Sequence, residues 1–197
     1  MCSKKKVYAF DFDGTLTTRD TFIEFIKYAR GQRALWCALL RYSPLLVLMK
    51  LRLYPNWRAK QRLFSHFFAG MRLDRFDSIC RDFAADRRQL LRPQAMQTLQ
   101  GLVANGAHVL IVSASMENWV RPFFDDSVSI SGTQIEDTHG IITGRLRSRN
   151  CYGAEKVERI KAHFPQRDNY YLIAYGDSRG DKEMLNYADE RHYKPFR

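Results

Sequence analysis

Val7-Tyr8-Ala9-Phe10-Asp11-Phe12-Asp13-Gly14-Thr15-Leu16-Thr17 joins a short apolar run to an acidic, glycine-containing turn. A run that short, stopping abruptly at such a turn, reads as a buried parallel strand. The turn sets carboxylates at i and i+2 with glycine next, so two side chains and a backbone carbonyl can face one cation. Alone, the same turn also serves as a structural Asx turn or as half of a calcium loop. Two further runs repeat the pattern. His108-Val109-Leu110-Ile111-Val112 follows an Asn105-Gly106 helix stop, and Tyr170-Tyr171-Leu172-Ile173-Ala174-Tyr175 ends in Gly176-Asp177. Val128 to Ile135 reads as a fourth strand, followed by a hairpin through Asp137-Thr138-His139-Gly140 into Ile141-Ile142-Thr143-Gly144. Helical patterns lie between them at Pro93 to Ala104, Gly153 to Phe164 and Asp181 to Tyr187. Strands alternating with helices predict an α/β fold, a doubly wound Rossmann-like parallel sheet.

One region interrupts the alternation. Residues 17–92 read as an inserted all-helical cap, leaving 1–16 and 93–197 as the α/β core. Ser43 before Pro44, Asn56 before Trp57 and Asp74 before Arg75 are the expected helix N-caps, and Gly70 a helix stop. The insert also holds nearly all the excess charge. Residues 17–92 carry 16 Lys/Arg against 6 Asp/Glu, a net of +10 in a chain whose formal charge is +11, and from Phe25 to Leu73 ten basic residues meet no acid. Such a stretch favours anionic partners, namely phosphate esters, acidic lipid surfaces or nucleic acid, or forms a solvated basic face. Within it Ala34 to Met49 is very apolar but only 16 residues long and contains Arg41, Ser43 and Pro44, too short and too interrupted to span a bilayer. Leu35, Leu39, Tyr42, Leu46, Met49 and Leu53 recur at helical spacing. They either pack inside the cap or, flanked by Arg33, Arg41 and Arg52, lie in a membrane interface.

The remaining composition is that of a folded globular protein, 45% hydrophobic and 13% aromatic over 197 residues. The four cysteines, Cys2, Cys37, Cys80 and Cys151, show no metal-ligand spacing and read as reduced, mostly buried thiols of a cytoplasmic protein. The basic start Lys4-Lys5-Lys6 runs into a strand pattern rather than a secretion signal.

The opening turn acquires partners in chain order: Ser113 at the end of Leu110-Ile111-Val112-Ser113-Ala114-Ser115, Lys156 in Gly153-Ala154-Glu155-Lys156, and Gly176-Asp177-Ser178-Arg179-Gly180-Asp181 after the third strand. Singly each is weak, since a serine after a strand is usually a cap and a helical lysine usually solvated. Together the set resembles the haloacid dehalogenase superfamily of phosphohydrolases from Val7 to about Pro195. The resemblance implies Asp11 as the nucleophile that becomes a phospho-aspartate, and Asp13 as general acid and then base. Ser113 and Lys156 are implied to hold the phosphoryl group. Mg²⁺ is implied on Asp11, Asp177 and the Asp13 carbonyl, with Asp181 supporting it directly or through water. A carboxylate attacking a dianionic phosphate needs this neutralisation, and all-oxygen ligands favour a hard cation.

Aspartate at position 13 resembles phosphatases and phosphomutases rather than dehalogenases, or the ATPases that carry lysine there. A helical cap after the first motif resembles subfamily IB, which includes phosphoserine phosphatases; Asp20 then stands where their substrate-binding glutamate is expected. Thr17-Thr18-Arg19-Asp20, Tyr175-Gly176-Asp177-Ser178 and Tyr193-Lys194-Pro195 look closer to the phosphatidylglycerophosphatase C branch. The expected substrate is therefore a phospholipid head group such as phosphatidylglycerol phosphate, with peripheral contact between the basic cap and the inner face of an anionic membrane. The alternative is a small soluble phosphomonoester such as phosphoserine. Nucleic-acid binding is disfavoured because no recognised motif for it appears, and a non-catalytic interaction role because Asp11 and Asp13 are both present.

Overall fold

The computed structural model describes residues 4–51 and 53–197; Cys2 and Arg52, both singled out above, lie outside them. In chain order the elements are β1 (Lys5–Phe10), α1 (Thr21–Arg30), α2 (Gln32–Arg41), α3 (Ser43–Lys50), α4 (Asn56–Phe68), α5 (Leu73–Asp86), α6 (Pro93–Ala104), β2 (His108–Met116), α7 (Glu117–Val120), β3 (Ser129–Thr133), β4 (Ile135–Thr138), β5 (Ile141–Leu146), α8 (Ala154–His163), β6 (Tyr170–Gly176), α9 (Lys182–Tyr187) and β7 (Glu190–Tyr193). Five strands form one parallel sheet in the order β3-β2-β1-β6-β7. The chain leaves β1 toward β2 on one side and later returns to β6 on the other. The switch point therefore lies between β1 and β6, where ligands bind in sheets of this kind.

Alternation along the strands sorts the two faces. Val7, Ala9, Leu110, Val112, Leu172 and Ala174 form one apolar cluster with Ile160, Met184 and Leu185 of α8 and α9. Phe10, Val109 and Ile111 face the other way, into a larger cluster that takes in α6 and the helices between β1 and β2. Phe25 is the hub of that cluster. Its ring centroid lies 4.8 Å from Trp119, 5.3 Å from Phe83, and 5.5 Å from both Phe68 and Phe76. Pairs of this geometry each contribute about 0.5–1.5 kcal/mol beyond their buried area, so α1, α4 and α5 are locked onto α7 by aromatic packing. The two ends of the helical region are also joined by backbone: Thr18 N–H donates to Leu90 O at 2.8 Å, and Arg92 N–H to Leu16 O at 2.8 Å.

Several expectations are corrected. The β4–β5 hairpin forms as read, but it is tied to the helices rather than to the sheet. Gly70 N–H donates to Ile142 O and Ile142 N–H to Met71 O. Strand β7, too polar to stand out, completes the sheet edge. Asn56 is the first residue of α4 instead of its cap, because Pro55, held at φ −64°, takes the capping position. Asp74 likewise lies inside α5: Arg72 bridges to Ile141 of the hairpin and takes the capping position, so the helix starts two residues earlier than expected. Ser43 is the first residue of α3, with Tyr42 before it. The apolar stretch 34–49 breaks into α2 and α3 at Tyr42. Leu35 is buried, and Leu39, Tyr42, Leu46 and Met49 are half-buried, but Leu53 is exposed, so the packing stripe stops before it. Of the cysteines described, Cys80 and Cys151 are buried and Cys37 is exposed, all free.

Candidate active site

Strand register delivers three of the candidate residues to one place. Phe10 of β1 pairs with Ile111 of β2 and Tyr175 of β6, so Asp11, Ser113 and Asp177 follow within two residues at the same sheet edge. Asp11 N–H donates to Tyr175 O at 2.9 Å, continuing the ladder one residue beyond β1. The chain then turns tightly. Asp13 is extended (φ −73°, ψ 117°) and Gly14 is left-handed (φ +82°, ψ −18°). A β-carbon on Gly14 would lie 2.6 Å from Asp177 Oδ2, so glycine is required for two reasons, backbone and space. Gly14→Ala is expected to cost about 1–2 kcal/mol for the left-handed backbone alone and to displace the Asp177 carboxylate. Thermal unfolding with and without added Mg²⁺ reads both effects.

Lys156, in the first turn of α8, is buried and bridges two carboxylates. Its Nζ donates to Asp11 Oδ1 and, at 2.6 Å, to Asp181 Oδ1. Asp181 spends its other oxygen on the loop after β6, accepting from Asp177 N–H, Ser178 N–H and Ser178 Oγ at 2.8–3.1 Å. Burial pushes the Asp11 carboxyl up to about 7, with Asp181 and Asp13 adding to the rise against the pull of Lys156. Burial raises Asp177 as well, whereas in Asp181 the Lys156 ammonium and the Ser178 donors outweigh burial and hold the carboxyl below its usual range. Burial disfavours the Lys156 ammonium, but Asp11 and Asp181 more than offset this and raise its pKa. The four groups thus form one charge-coupled cluster.

Asp13 points away from that cluster. Its Oδ1 accepts from Thr21 N–H (2.7 Å) and Thr21 Oγ (2.6 Å) at the start of α1, and its Oδ2 from Ser115 Oγ (2.5 Å). Ser113 Oγ stands 3.5 Å from the same oxygen and accepts from Ser115 N–H. Thr21 in turn accepts from the indole N–H of buried Trp119 at 3.2 Å. Thr21 and Ser115 carry no role in the sequence reading. Ser115 shares Ser113's side of β2 by the two-residue strand period, which is the signal available for it.

A cavity of about 350 Å³ opens over these groups. Asp11, Asp13, Asp20, Lys156 and Asp181 line its polar end, whereas Ser113 and Asp177 are not among its lining residues. Asp20 caps α1, with Oδ1 accepting from Phe22 and Ile23 N–H. Opposite, Lys60 of α4 reaches in between Ala59 and Leu63, donates to Ala114 O at 2.7 Å, and lies 5.2 Å from the Phe22 ring centroid. Burial lowers its pKa, opposed by Asp13 and Asp20. Among the described residues it is the one cation that the helical region contributes to this wall, and the sequence reading does not single it out. The far wall is apolar: Phe22, Ile23, Leu39, Leu46, Met49 and Leu63. A larger surface groove of about 770 Å³ beside α5 and α7 is lined by mixed charges, of which Arg147 pairs with Asp137 and Arg121 with Glu117.

The donor set also fits a hard divalent cation. Asp11, Asp177 and Asp181 each offer a carboxylate oxygen, and these lie within 4.8 Å of one another in a buried setting. All three also accept from protein donors: Asp11 from Lys156 and Thr15, Asp177 from Thr15 and Arg197, and Asp181 from Lys156 and the Ser178 loop. Arg197 donates to Asp177 Oδ2, a positive partner where clustered carboxylates call for one.

The family model for haloacid dehalogenase-like hydrolases matches residues 8–186, nearly the whole chain and a range that holds Asp11, Asp13, Ser113, Lys156, Asp177 and Asp181. The chain belongs to that family. Protein CicA of Caulobacter vibrioides is 37% identical to it over 196 residues, covering 96% of this chain and 86% of CicA. A solved structure of a protein of unknown function from Bordetella pertussis Tohama I superposes with a TM-score of 0.82 at 21% identity, over 96% of this chain and 89% of the other. A phospho-aspartyl intermediate analogue of phosphoserine phosphatase superposes with a TM-score of 0.61 at 18% identity, over 96% and 86%. At such identities these two structures speak for the hydrolase fold alone.

Proposed function

We propose that this hydrolase is a Mg²⁺-dependent phosphomonoester phosphatase working through a phospho-aspartate on Asp11, with residues 17–92 as its cap. The observation that carries the reading is the division of the two carboxylates. Asp11 is buried against Lys156 and aimed at the metal-type cluster, while Asp13, two residues on, is held apart by Thr21 and Ser115 on the cavity wall. One is placed to attack and the other to move a proton. An oxygen of Asp11 attacks phosphorus, the bond from phosphorus to the ester oxygen breaks, and Asp13 gives that oxygen its proton. Water then attacks the phospho-aspartate with Asp13 taking its proton, the bond to Asp11 breaks, and phosphate leaves. Lys156, with Ser113, neutralises and orients the phosphoryl oxygens. Asp11, Asp177 and the Asp13 carbonyl would hold Mg²⁺, with Asp181 in support, and the ion when bound would neutralise charge between nucleophile and phosphate. The phosphoserine phosphatase of the intermediate analogue runs on the same fold, which supports the mechanism and also a second reading of substrate, a small soluble ester. Asp20, opening on the cavity, is the group available to a polar substrate.

The apolar wall opposite the acids favours the first reading, a phosphorylated lipid head group such as phosphatidylglycerol phosphate met at the inner face of a membrane. Mg²⁺-dependent phosphate release from short-chain phosphatidylglycerol phosphate, phosphoserine and glycerol phosphate is the test. A preference for the lipid is expected; a preference for phosphoserine selects the second reading, and release from none of them under any metal sinks both. Asp13→Asn is expected to slow release by roughly 10²–10⁴-fold, the range of a lost general acid–base, while Mg²⁺ still raises the melting temperature.

A further inference from the structure

The helices that wall the cavity turn an unusual surface outward. On α2, Arg33, Trp36, Cys37, Leu40 and Arg41 share one helical face, and all are exposed, Trp36 at 63% and Leu40 at 78%. On α3, Pro44, Val47 and Leu48 form the corresponding face and are exposed, and no residue of this apolar helix is buried. Leu51, Leu53 and Trp57 continue the exposure. Seven of the large exposed hydrophobic residues thus fall within 36–57. That pattern departs from ordinary amphipathicity, in which one apolar stripe faces the core and the other side is polar, because these helices are apolar on both sides. A contiguous exposed patch of this kind marks a docking surface.

Charge selects the occupant. No acid lies between Phe25 and Leu73, and among the described residues no carboxylate pairs with Arg33, Arg41 or Lys50, all exposed. A second copy docked face to face would set these cations against themselves, since a two-fold interface repeats the same patch on both sides. An anionic lipid surface instead offers negative head groups to the arginines and lysine and hydrocarbon to the leucines and tryptophan. Neither α2 nor α3 is long or apolar enough to cross a bilayer. The inner sides of the same helices supply Leu39, Leu46 and Met49 to the catalytic cavity.

We propose that the outward faces of α2 and α3 dock this protein on an anionic bilayer surface, Trp36, Leu40, Val47 and Leu48 entering the interface between Arg33, Arg41 and Lys50. The proposal deepens the lipid-substrate reading and rests on it only for what the docked cavity hydrolyses.

The test is co-sedimentation with vesicles of phosphatidylcholine alone or mixed with phosphatidylglycerol, beside hydrolysis of soluble p-nitrophenyl phosphate. Wild type is expected to bind the mixed vesicles, and to bind them less as salt rises. Trp36→Ser/Leu40→Ser is expected to lower that affinity about tenfold or more, and Arg33→Glu/Arg41→Glu by at least about fivefold per arginine, with soluble hydrolysis unchanged in both. Equal binding by wild type and both variants, or no binding by wild type, overturns the proposal, as does a dimer in solution that Trp36→Ser/Leu40→Ser disperses. Vesicle binding that follows this pattern without any phosphate release overturns the phosphatase reading and leaves the docking face standing.

Discussion

Asp11→Asn is expected to abolish phosphate release while leaving the fold and its melting temperature nearly unchanged. Asparagine keeps the volume and the carbonyl oxygen that accepts from Lys156 Nζ, and Asp181 remains as the partner of that ammonium. The amide nitrogen also removes a charge whose burial is already costly, since the Asp11 carboxyl is pushed up to about 7. An amide, however, cannot form the bond to phosphorus. Loss of a nucleophile of this kind lowers turnover by roughly 10⁴-fold or more. Phosphate release under saturating Mg²⁺ measures it, with acid-quenched protein examined for a phosphoryl adduct in wild type and for its absence in the variant. Turnover near the wild-type rate would remove Asp11 from the mechanism. Partial loss with an adduct still present would move the nucleophile elsewhere in the cluster.

What the sequence makes legible here is what strand geometry repeats. Asp11, Ser113 and Asp177 each follow a short apolar run, and parallel register carries the ends of such runs to one edge whatever lies between them. Helices α6 and α8 are equally visible, because Pro93 and Gly106 mark the limits of the first and Gly153 the start of the second. Other features depend on packing that no local pattern encodes. Lys60 is one of ten cations in an acid-free stretch, and only the burial of Ala59 and Leu63 beside it shows which one turns inward. Thr21 and Ser115 hold Asp13 from two elements separated by 94 residues, a contact visible only once α1 is set against β2. Strand β7 is polar and pairs on one edge, so periodicity is silent about it. The apolar stretch 34–49 was ambiguous for a physical reason, since its helices bury one side against the cavity and expose the other. The packing reading holds for the inner side, and the exposed outer side is the surface for which membrane docking is proposed.

Lys156→Met is the second large effect, and it separates catalysis from electrostatics. Methionine fills most of the lysine's volume but leaves Asp11, Asp181 and Asp177 clustered without their buried cation. Breaking a buried ion pair by removing one partner costs about 3–5 kcal/mol, a melting-temperature drop on the order of 10 °C for a domain this size. The sign of its pH dependence follows from the carboxylates. Asp11 is raised from 3.8 to about 7, so the folded state holds more protons than the unfolded one across that window, and the Asp11 contribution to stability falls as pH rises through it. Removing Lys156 takes away the main influence that lowers this pKa, so the same loss extends to higher pH. The variant is therefore expected to lie furthest below wild type above pH 7. The gap should narrow as pH falls toward the ordinary carboxylate range, where protonation relieves the repulsion in the variant and strands the buried ammonium in wild type. Added Mg²⁺ is expected to restore more stability to the variant than to wild type above pH 7, because it supplies the missing positive charge, yet phosphate release should stay depressed by roughly 10³-fold or more without the group proposed to hold the phosphoryl oxygens. Melting curves across pH, with and without Mg²⁺, beside a rate assay distinguish the two roles. A gap that widens at low pH would mean that Lys156 supports the fold by packing alone, and normal turnover in Mg²⁺ would take it out of the phosphoryl site.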